Sequence, residues 1–308
     1  MPESFPTPQQ IHEHAPSPFE TWLETEFPKQ YEQRAKTLDR LGLLRILPES
    51  GTYGIVDTLG KECPFPEMED VKKKLFENRE FFEKKAEQGF TRLSIAPFGL
   101  PTARLFDTMK KAILKHKKEG TLLDTDGKPL DLDLNDPLYT WEGYENQEIS
   151  CFPESFDRTD HNGKTKQQML EGTQSFPGFL VSFLEDNLDI PREGRGETKG
   201  GRKRIETNKT PLQYLKLLKE NPQYQGESGL TIEEWATLFL TNLEETNQVT
   251  DDYGNGKDSI CWNLGTYFPA DGYVSCASWR RGYRRAYVSR YGARDRGGND
   301  GSRVAVRV

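Results

Sequence analysis

The chain has 308 residues, with 42 Lys or Arg against 49 Asp or Glu for a net charge of −7; 34% are hydrophobic and 11% aromatic. That length suits one large domain or two ordinary ones, because single cores stop growing at roughly 250–300 residues. The aromatic content speaks against disorder, and no stretch approaches the ~18 apolar residues of a membrane helix, so a polar, loop-rich globular protein without membrane insertion is expected.

The charge is unevenly placed. Trp279 to Val308 holds nine Arg, no Lys and two Asp, a net +7, so the whole-chain −7 leaves −14 on residues 1–278. An acidic body with an Arg-rich end points to acidic ligands for that end. Met1 to His14 is polar and Pro-rich. It shows neither a basic n-region nor an apolar h-region, so no secretory signal is read and a cytoplasmic location is expected. Cys63, Cys151, Cys261 and Cys276 are dispersed. They are expected reduced and partly buried, with a Cys261–Cys276 bridge the one pairing left open. His12, His14, His116 and His161 form no cluster, so no His-based metal site or triad is expected.

In chain order, Met1 to Pro18 reads as a loose arm and Phe19 to Leu47 as a helix interrupted at Pro28. Gly51 to Leu59 follows as a short strand, then a Pro-rich turn at Cys63 to Pro66. Glu69 to Gln88 reads as one charged helix stopped by Gly89, burying Val71, Leu75, Phe81 and Phe82. Phe90 to Ile95 reads as a strand, Leu100 to Lys118 as a helix ending at Gly120, and 121–165 as strands and loops. Phe179 to Leu184 is the strongest apolar run, a core strand. Thr210 and Pro211 supply the N-cap and first position of a helix to about Glu220. Thr231 with Glu234 forms a capping box, and Leu230 with Trp235 a hydrophobic staple. Trp235, Leu238, Phe239 and Leu243 then repeat at helical spacing. Arg303 to Val308 alternates, placing Val304, Val306 and Val308 on one face of a final strand.

Three polar loops are candidate sites. Gly194 to Arg204 carries four Gly and four basic residues. It lacks the Walker pattern, because Arg202 and Lys203 follow Gly201, and is expected to be a solvated, flexible loop. Asp124, Asp126, Asp131, Asp133 and Asp136 lack calcium-loop spacing, so a tight turn at Asp126–Gly127 followed by an acid-faced strand is expected instead. Asp251, Asp252, Asn255 and Asp258 read as a capped loop after the last helix rather than a metal site.

The end of the chain differs in kind. Arg280 to Asp300 contains only Arg, Gly, Tyr, Ala, Val, Ser, Asp and Asn. Lys, Glu, Gln, Met and Trp are missing there, although they make up 74 of the 308 residues. Tyr offers rigid amphipathic area and Arg a planar five-donor fork, both suited to recognition. A disordered Arg/Gly nucleic-acid tail is the competing reading. It has no use for the strand-like flanks Gly272 to Trp279 and Arg303 to Val308.

The stretch Cys261-Trp-Asn-Leu-Gly-Thr-Tyr-Phe-Pro-Ala-Asp-Gly, then Val274-Ser-Cys-Ala-Ser-Trp279, Arg-Gly-Tyr-Arg-Arg-Ala286 and Gly301-Ser-Arg-Val-Ala-Val-Arg-Val resembles the variable region of diversity-generating retroelement target proteins. Leu230 to Gln248 with Asp251-Asp-Tyr resembles the family's lead-in, as does Gly89-Phe-Thr-Arg-Leu-Ser-Ile-Ala-Pro-Phe-Gly-Leu-Pro. The resemblance covers 226–308 strongly and begins near 89. In that family, reverse transcription mutates template adenines, and Asn codons yield Tyr, Ser, Arg, Gly, Asp, Ala or Val among others, but never Lys, Glu, Gln, Met or Trp.

The resemblance implies an α+β, C-type-lectin-like fold of the formylglycine-generating-enzyme subtype. It divides the chain into an accessory region, partly helical, at 1–88 and a ligand-binding domain at 89–308, with the variable region at about 279–308. Diversified, ligand-contacting positions would be Arg280, Tyr283, Tyr287, Ser289, Arg290, Tyr291, Arg294, Asp295, Gly297, Gly298, Asn299 and Asp300. Framework positions would be Trp279, Gly282, Arg284, Ala286, Gly301 and Arg303. The function implied is non-catalytic binding of changing protein or other macromolecular partners, acidic ones favoured, without cofactor or metal. The alternatives are a nucleic-acid binder using the Arg/Tyr surface and a copper-dependent oxidase of the same fold relying on Cys261 and Cys276.

Overall fold

The structure, a computed structural model, describes residues 16–141, 143–144, 147–254 and 259–308. His12, His14, Asn255 and Asp258 lie outside the described residues. In order the elements are α1 (Pro18–Arg40), β1 (Arg45–Ile46), β2 (Tyr53–Val56), β3 (Glu62–Pro64), α2 (Met68–Glu77), α3 (Arg79–Glu87), β4 (Phe90–Ala96) and α4 (Thr102–Glu119). There follow β5 (Leu138–Thr140), β6 (Ser150–Cys151), β7 (Lys164–Thr165), α5 (Lys166–Glu171), β8 (Leu180–Glu185), β9 (Thr198–Lys199), β10 (Arg202–Lys203) and α6 (Pro211–Glu220). The chain closes with β11 (Glu227–Gly229), α7 (Ile232–Thr246), β12 (Asp252–Tyr253), β13 (Ile260–Phe268), β14 (Tyr273–Arg280), β15 (Arg285–Gly292), β16 (Asp300–Ser302) and β17 (Val304–Arg307).

Helix starts follow their caps. Thr210 and Thr231 each complete a capping box with the residue three further on, Gln213 and Glu234, as do Ser17 with Glu20 and Thr165 with Gln168. Two expected helices change shape. The first ends at Arg40 rather than Leu47, and Gly42 turns the chain in the left-handed region (φ +67). Pro28 does not interrupt it. A proline removes one donor from the helix ladder, and the buried Leu23, Phe27 and Leu38 hold the helix across it. The charged helix expected at 69–88 divides into α2 and α3 at Asn78 (φ −118, ψ 34), whose side-chain amide donates to the Lys74 carbonyl (3.3 Å). Asn competes for its own backbone in this way and favours helix ends.

Mixed helices and mainly antiparallel strands make this an α+β fold. One sheet has the order β11-β17-β8-β4, all antiparallel. The larger has the order β5-β15-β14-β13-β6-β7, with β12 added parallel to β14 and β16 parallel to β13. The chain passes from the larger sheet to the smaller at Arg303, between β16 and β17. The sheets meet where β11 approaches β13: a Cβ on Gly229 would lie 2.4 Å from Leu264 Cβ, so only glycine fits there.

Between them runs α7, buried at every residue from Ile232 to Leu243. It packs against α1, α4, β4, β13 and β14. From the other side, Trp22 and Phe27 of α1 pack their rings on Phe183 of β8 at 5.5 and 6.4 Å. Residues 16–88 thus share the main core.

Most of the Gly-rich loop is exposed as expected, but it is anchored at one residue. β9 and β10 form a hairpin, and Arg202 is fully buried, its guanidinium on Glu227 (2.7 Å twice) and Glu185 (2.5 Å). Lys85 reaches the same Glu227 carboxylate at 2.7 Å. Breaking a buried ion pair from one side strands the other charge. Arg202→Ala should lower the unfolding free energy by about 3 kcal/mol, the low end for such pairs because Lys85 remains; urea denaturation checks this, and a loss under about 1 kcal/mol contradicts it.

Candidate ligand-binding surface

β14 and β15 pair without a bulge from Tyr273↔Gly292 to Arg280↔Arg285, closed by a short helical turn at Arg281–Tyr283 with Arg284 in the left-handed region (φ +54). Side chains alternate between faces along a strand. Ala286 and Val288 point into the core; Arg285, Tyr287, Ser289 and Tyr291 share the other face. β5 pairs parallel with β15 and sets Tyr139 opposite Tyr287.

The result is an interleaved stack. Tyr139 and Tyr287 lie 4.4 Å apart at 16°, and Tyr283 and Tyr287 5.7 Å apart at 24°. The Arg280 guanidinium sits over Tyr253 (4.6 Å) and Tyr287 (5.0 Å), and that of Arg285 over Tyr139 (5.2 Å) and Tyr283 (5.7 Å). Each such contact contributes about 0.5–1 kcal/mol at an exposed site, enough to fix the rings before any ligand arrives.

The positions expected to contact ligand do not all lie on the surface. Tyr283, Tyr291, Arg294, Asp295 and Gly298 are exposed; Arg280, Tyr287, Gly297, Asn299 and Asp300 are half-buried; Ser289 is buried. Asp295 accepts from the Gly292 amide (2.8 Å), and Asn299 accepts from Arg192. Arg290 belongs to the inner face. Its guanidinium lies 3.1 Å from the Trp141 ring centre, near Phe268 and Tyr273, donates to Gln147 (2.8 Å) and is ion-paired with Asp271. It is a strut under the sheet.

Among the framework positions, Trp279 and Ala286 are fully buried cross-strand partners. A Cβ on Gly301 would meet Ile190 Cγ2 at 2.4 Å. Arg303 is ion-paired with buried Asp251 (2.7 Å), which also accepts from Trp235 Nε1 (2.9 Å). Gly282 and Arg284 lie instead on the exposed tip, and nothing stands within 4 Å of a Cβ at 282.

The acidic body supplies the counter-charge of the Arg-rich end. Arg281 bridges Asp124 (2.6 Å) and Asp252 (2.5 Å), both buried. Arg284 meets Asp131 (3.2 Å), Arg285 meets Asp136, and Arg307 meets Glu234 (2.6 Å). Arg294 and Arg296 are exposed and make no ion pair among the described residues. Of the aspartates weighed as a calcium loop, Asp124, Asp131 and Asp136 are therefore ion-pair partners of Arg281, Arg284 and Arg285, and Asp133 accepts from the Asn135 amide (3.1 Å). The turn at Asp126–Gly127 forms, with Asp124 accepting from the amides of Asp126 (2.9 Å) and Lys128 (2.7 Å); Leu130 and Leu132 then alternate inward with Asp131 outward, but no strand ladder forms before Leu138. In the second cluster, Asp251 and Asp252 are taken by Arg303 and Arg281. Among the described residues no group of three or more His, Cys, Asp or Glu is placed to hold a metal ion.

The Gly-rich loop holds an anion of its own: Glu206 accepts from the Gly196 amide (2.7 Å) and pairs with Lys203 (2.8 Å). All four cysteines are free and buried. The β13–β14 register sets Cys261 opposite Ala277 and Cys276 opposite Trp262, so the two thiols point to opposite faces and do not bridge. Burial pushes the Cys276 thiol up to about 12. Comparison with family models, curated proteins and solved structures gives no match.

Two predictions follow from this geometry. Gly301→Ala should destabilise by about 1–3 kcal/mol through overpacking on Ile190, while Tyr283→Ser should cost less, at most about 1 kcal/mol for its contact with Arg285; thermal unfolding distinguishes them. The hydrogen bond from Arg290 holds the Asp271 carboxyl below the usual carboxylate range. A depressed folded pKa gives stability that is present above about pH 4 and is lost as pH falls through the folded value. Asp271→Asn should therefore be less stable than the parent at neutral pH, with the two converging in acid; parallel curves would refute the assignment.

Proposed function

We propose that this protein is a non-catalytic binder whose C-terminal surface is diversified by a retroelement to recognise changing partners, on a C-type-lectin-like scaffold of the formylglycine-generating-enzyme subtype. The observation that carries it is a coincidence in space. The compositionally restricted segment 280–300 is an ordered hairpin and loop, and its Tyr and Arg side chains stack outward over a buried frame of Trp279, Ala286, Gly301 and Arg303. Binding would rest on burial of the tyrosine rings and bidentate contacts from arginine.

The oxidase alternative has less support, since the register points the Cys261 and Cys276 side chains to opposite faces of the sheet. The nucleic-acid alternative draws on the same Tyr/Arg stack, but most of the arginines it needs already have carboxylate partners.

Sequencing the surrounding genome tests the proposal. A reverse-transcriptase gene should lie nearby, together with an imperfect second copy of the codons for about Trp279 to Val308 that differs at adenines. A neighbourhood lacking both would overturn it.

A further inference from the structure

Large apolar side chains left in water are unevenly distributed. Among the described residues eight are exposed, and four of them are Tyr283 and Tyr291, in the turn and on the outward face of β15, and Leu134 and Leu212, which touch that strand's ends; Tyr273 lies on the opposite face with Arg290. Single exposed apolar residues mean little, but a group of them marks a contact surface. Leu134 and Leu212 come from outside the compositionally restricted segment.

The backbone ties each leucine to one end of β15. The Asp133 amide, next to Leu134, donates to the Arg284 carbonyl (2.8 Å) beside Tyr283, and Leu134 is 63% exposed. The Leu212 amide donates to the Ala293 carbonyl (3.1 Å) just past Tyr291, and Leu212 is 42% exposed. Neither is used by the fold: α6 buries Pro211, Tyr214 and Leu218 and leaves Leu212 outside.

We propose that Leu134 and Leu212 are fixed aliphatic anchors of an interaction surface whose partner is a folded protein presenting carboxylates beside an apolar patch. This rests on the binding function proposed above and names the class of ligand. Size fits: β15 has eight residues, which at ~3.3 Å each span roughly 26 Å, close to the ~30 Å width of a protein–protein patch of ~800 Å² per partner. Charge fits as well. Arg294 and Arg296 are exposed and make no ion pair among the described residues, and they lie just beyond the Leu212 end. A nucleic acid suits the surface less. Asp131 and Asp136 stand at the Tyr283 end and repel phosphate, and aliphatic side chains give bases no stacking face.

The test uses the full chain and two probes: a synthetic single-domain antibody library selected on it without direction, and a mixed-sequence single-stranded DNA oligonucleotide followed by fluorescence anisotropy. Selected binders should repeatedly lose about tenfold or more in affinity on Leu134→Ser or Leu212→Ser, with melting temperature unchanged, and the oligonucleotide should not bind at low salt. Binders insensitive to both leucine variants, or salt-dependent DNA binding, would overturn the proposal. Tyr283→Ser and Tyr291→Ser separate the two levels. Loss with the tyrosine variants alone removes the anchors and leaves the variable surface standing, whereas insensitivity to all four removes both.

Discussion

The fold depends on burying α7 together with its four glutamates. An unpaired carboxylate in a core costs several kcal/mol, so each must find a cation. Glu233 takes Lys166 (3.0 Å) with the Thr102 hydroxyl (2.8 Å), and Glu234 takes Arg307. Glu244 takes Arg40 (3.0 Å), and Glu245 is paired with Arg34 and, at 3.5 Å, with Arg92. These partners come from α1, β4, α5 and β17, so one helix gathers the first described helix and the last strand of the chain. Because Arg307 ends β17 and Arg303 opens it, both its ends are clamped by ion pairs, to Glu234 and to Asp251. β16, which leads into β17, pairs with β13, the strand beside the β14–β15 hairpin.

That clamping separates what can change from what cannot. On β15 the two-residue period sends Tyr287 and Tyr291 outward and Arg290 inward against Trp141. The pairs at the hairpin tip differ in the same way. Asp131 and Asp136 are at least partly exposed, and exposed ion pairs are worth little, so Arg284 and Arg285 could be replaced at small cost. Arg281 could not, because its loss would leave Asp124 and Asp252 buried together without a cation.

Much of the scaffold is legible in the sequence because its signals are local. The capping boxes at Thr210 and Thr231, the apolar run of β8 and the alternating valines of β17 each specify an element from a few neighbours. The restricted composition of 280–300 likewise marks its segment without any knowledge of the fold. What escapes is long-range. Arg281 and Asp124 are 157 residues apart, Arg284 and Asp131 153, and Arg285 and Asp136 149. No spacing rule could join them, and the aspartates look like a metal loop until the arginines are in place. The same holds for Arg202, whose glycine-rich surroundings suggest solvent while Glu185 and Glu227 hold it inside.

These pairings also change what the terminal +7 means. A partner does not meet that charge, because most of it is met within a few ångströms by fixed carboxylates, and what extends beyond is screened over about 10 Å. The acids at 131, 136 and 271 lie upstream of the restricted segment and, on the diversification proposed above, would not change with it. Neutral residues at the arginine positions would leave those acids uncompensated and turn the face negative. The fixed aspartates therefore set a negative baseline, and the number of arginines above it sets the sign of the surface. In this chain Arg294 and Arg296 exceed the baseline, at the end of the hairpin where Leu212 stands.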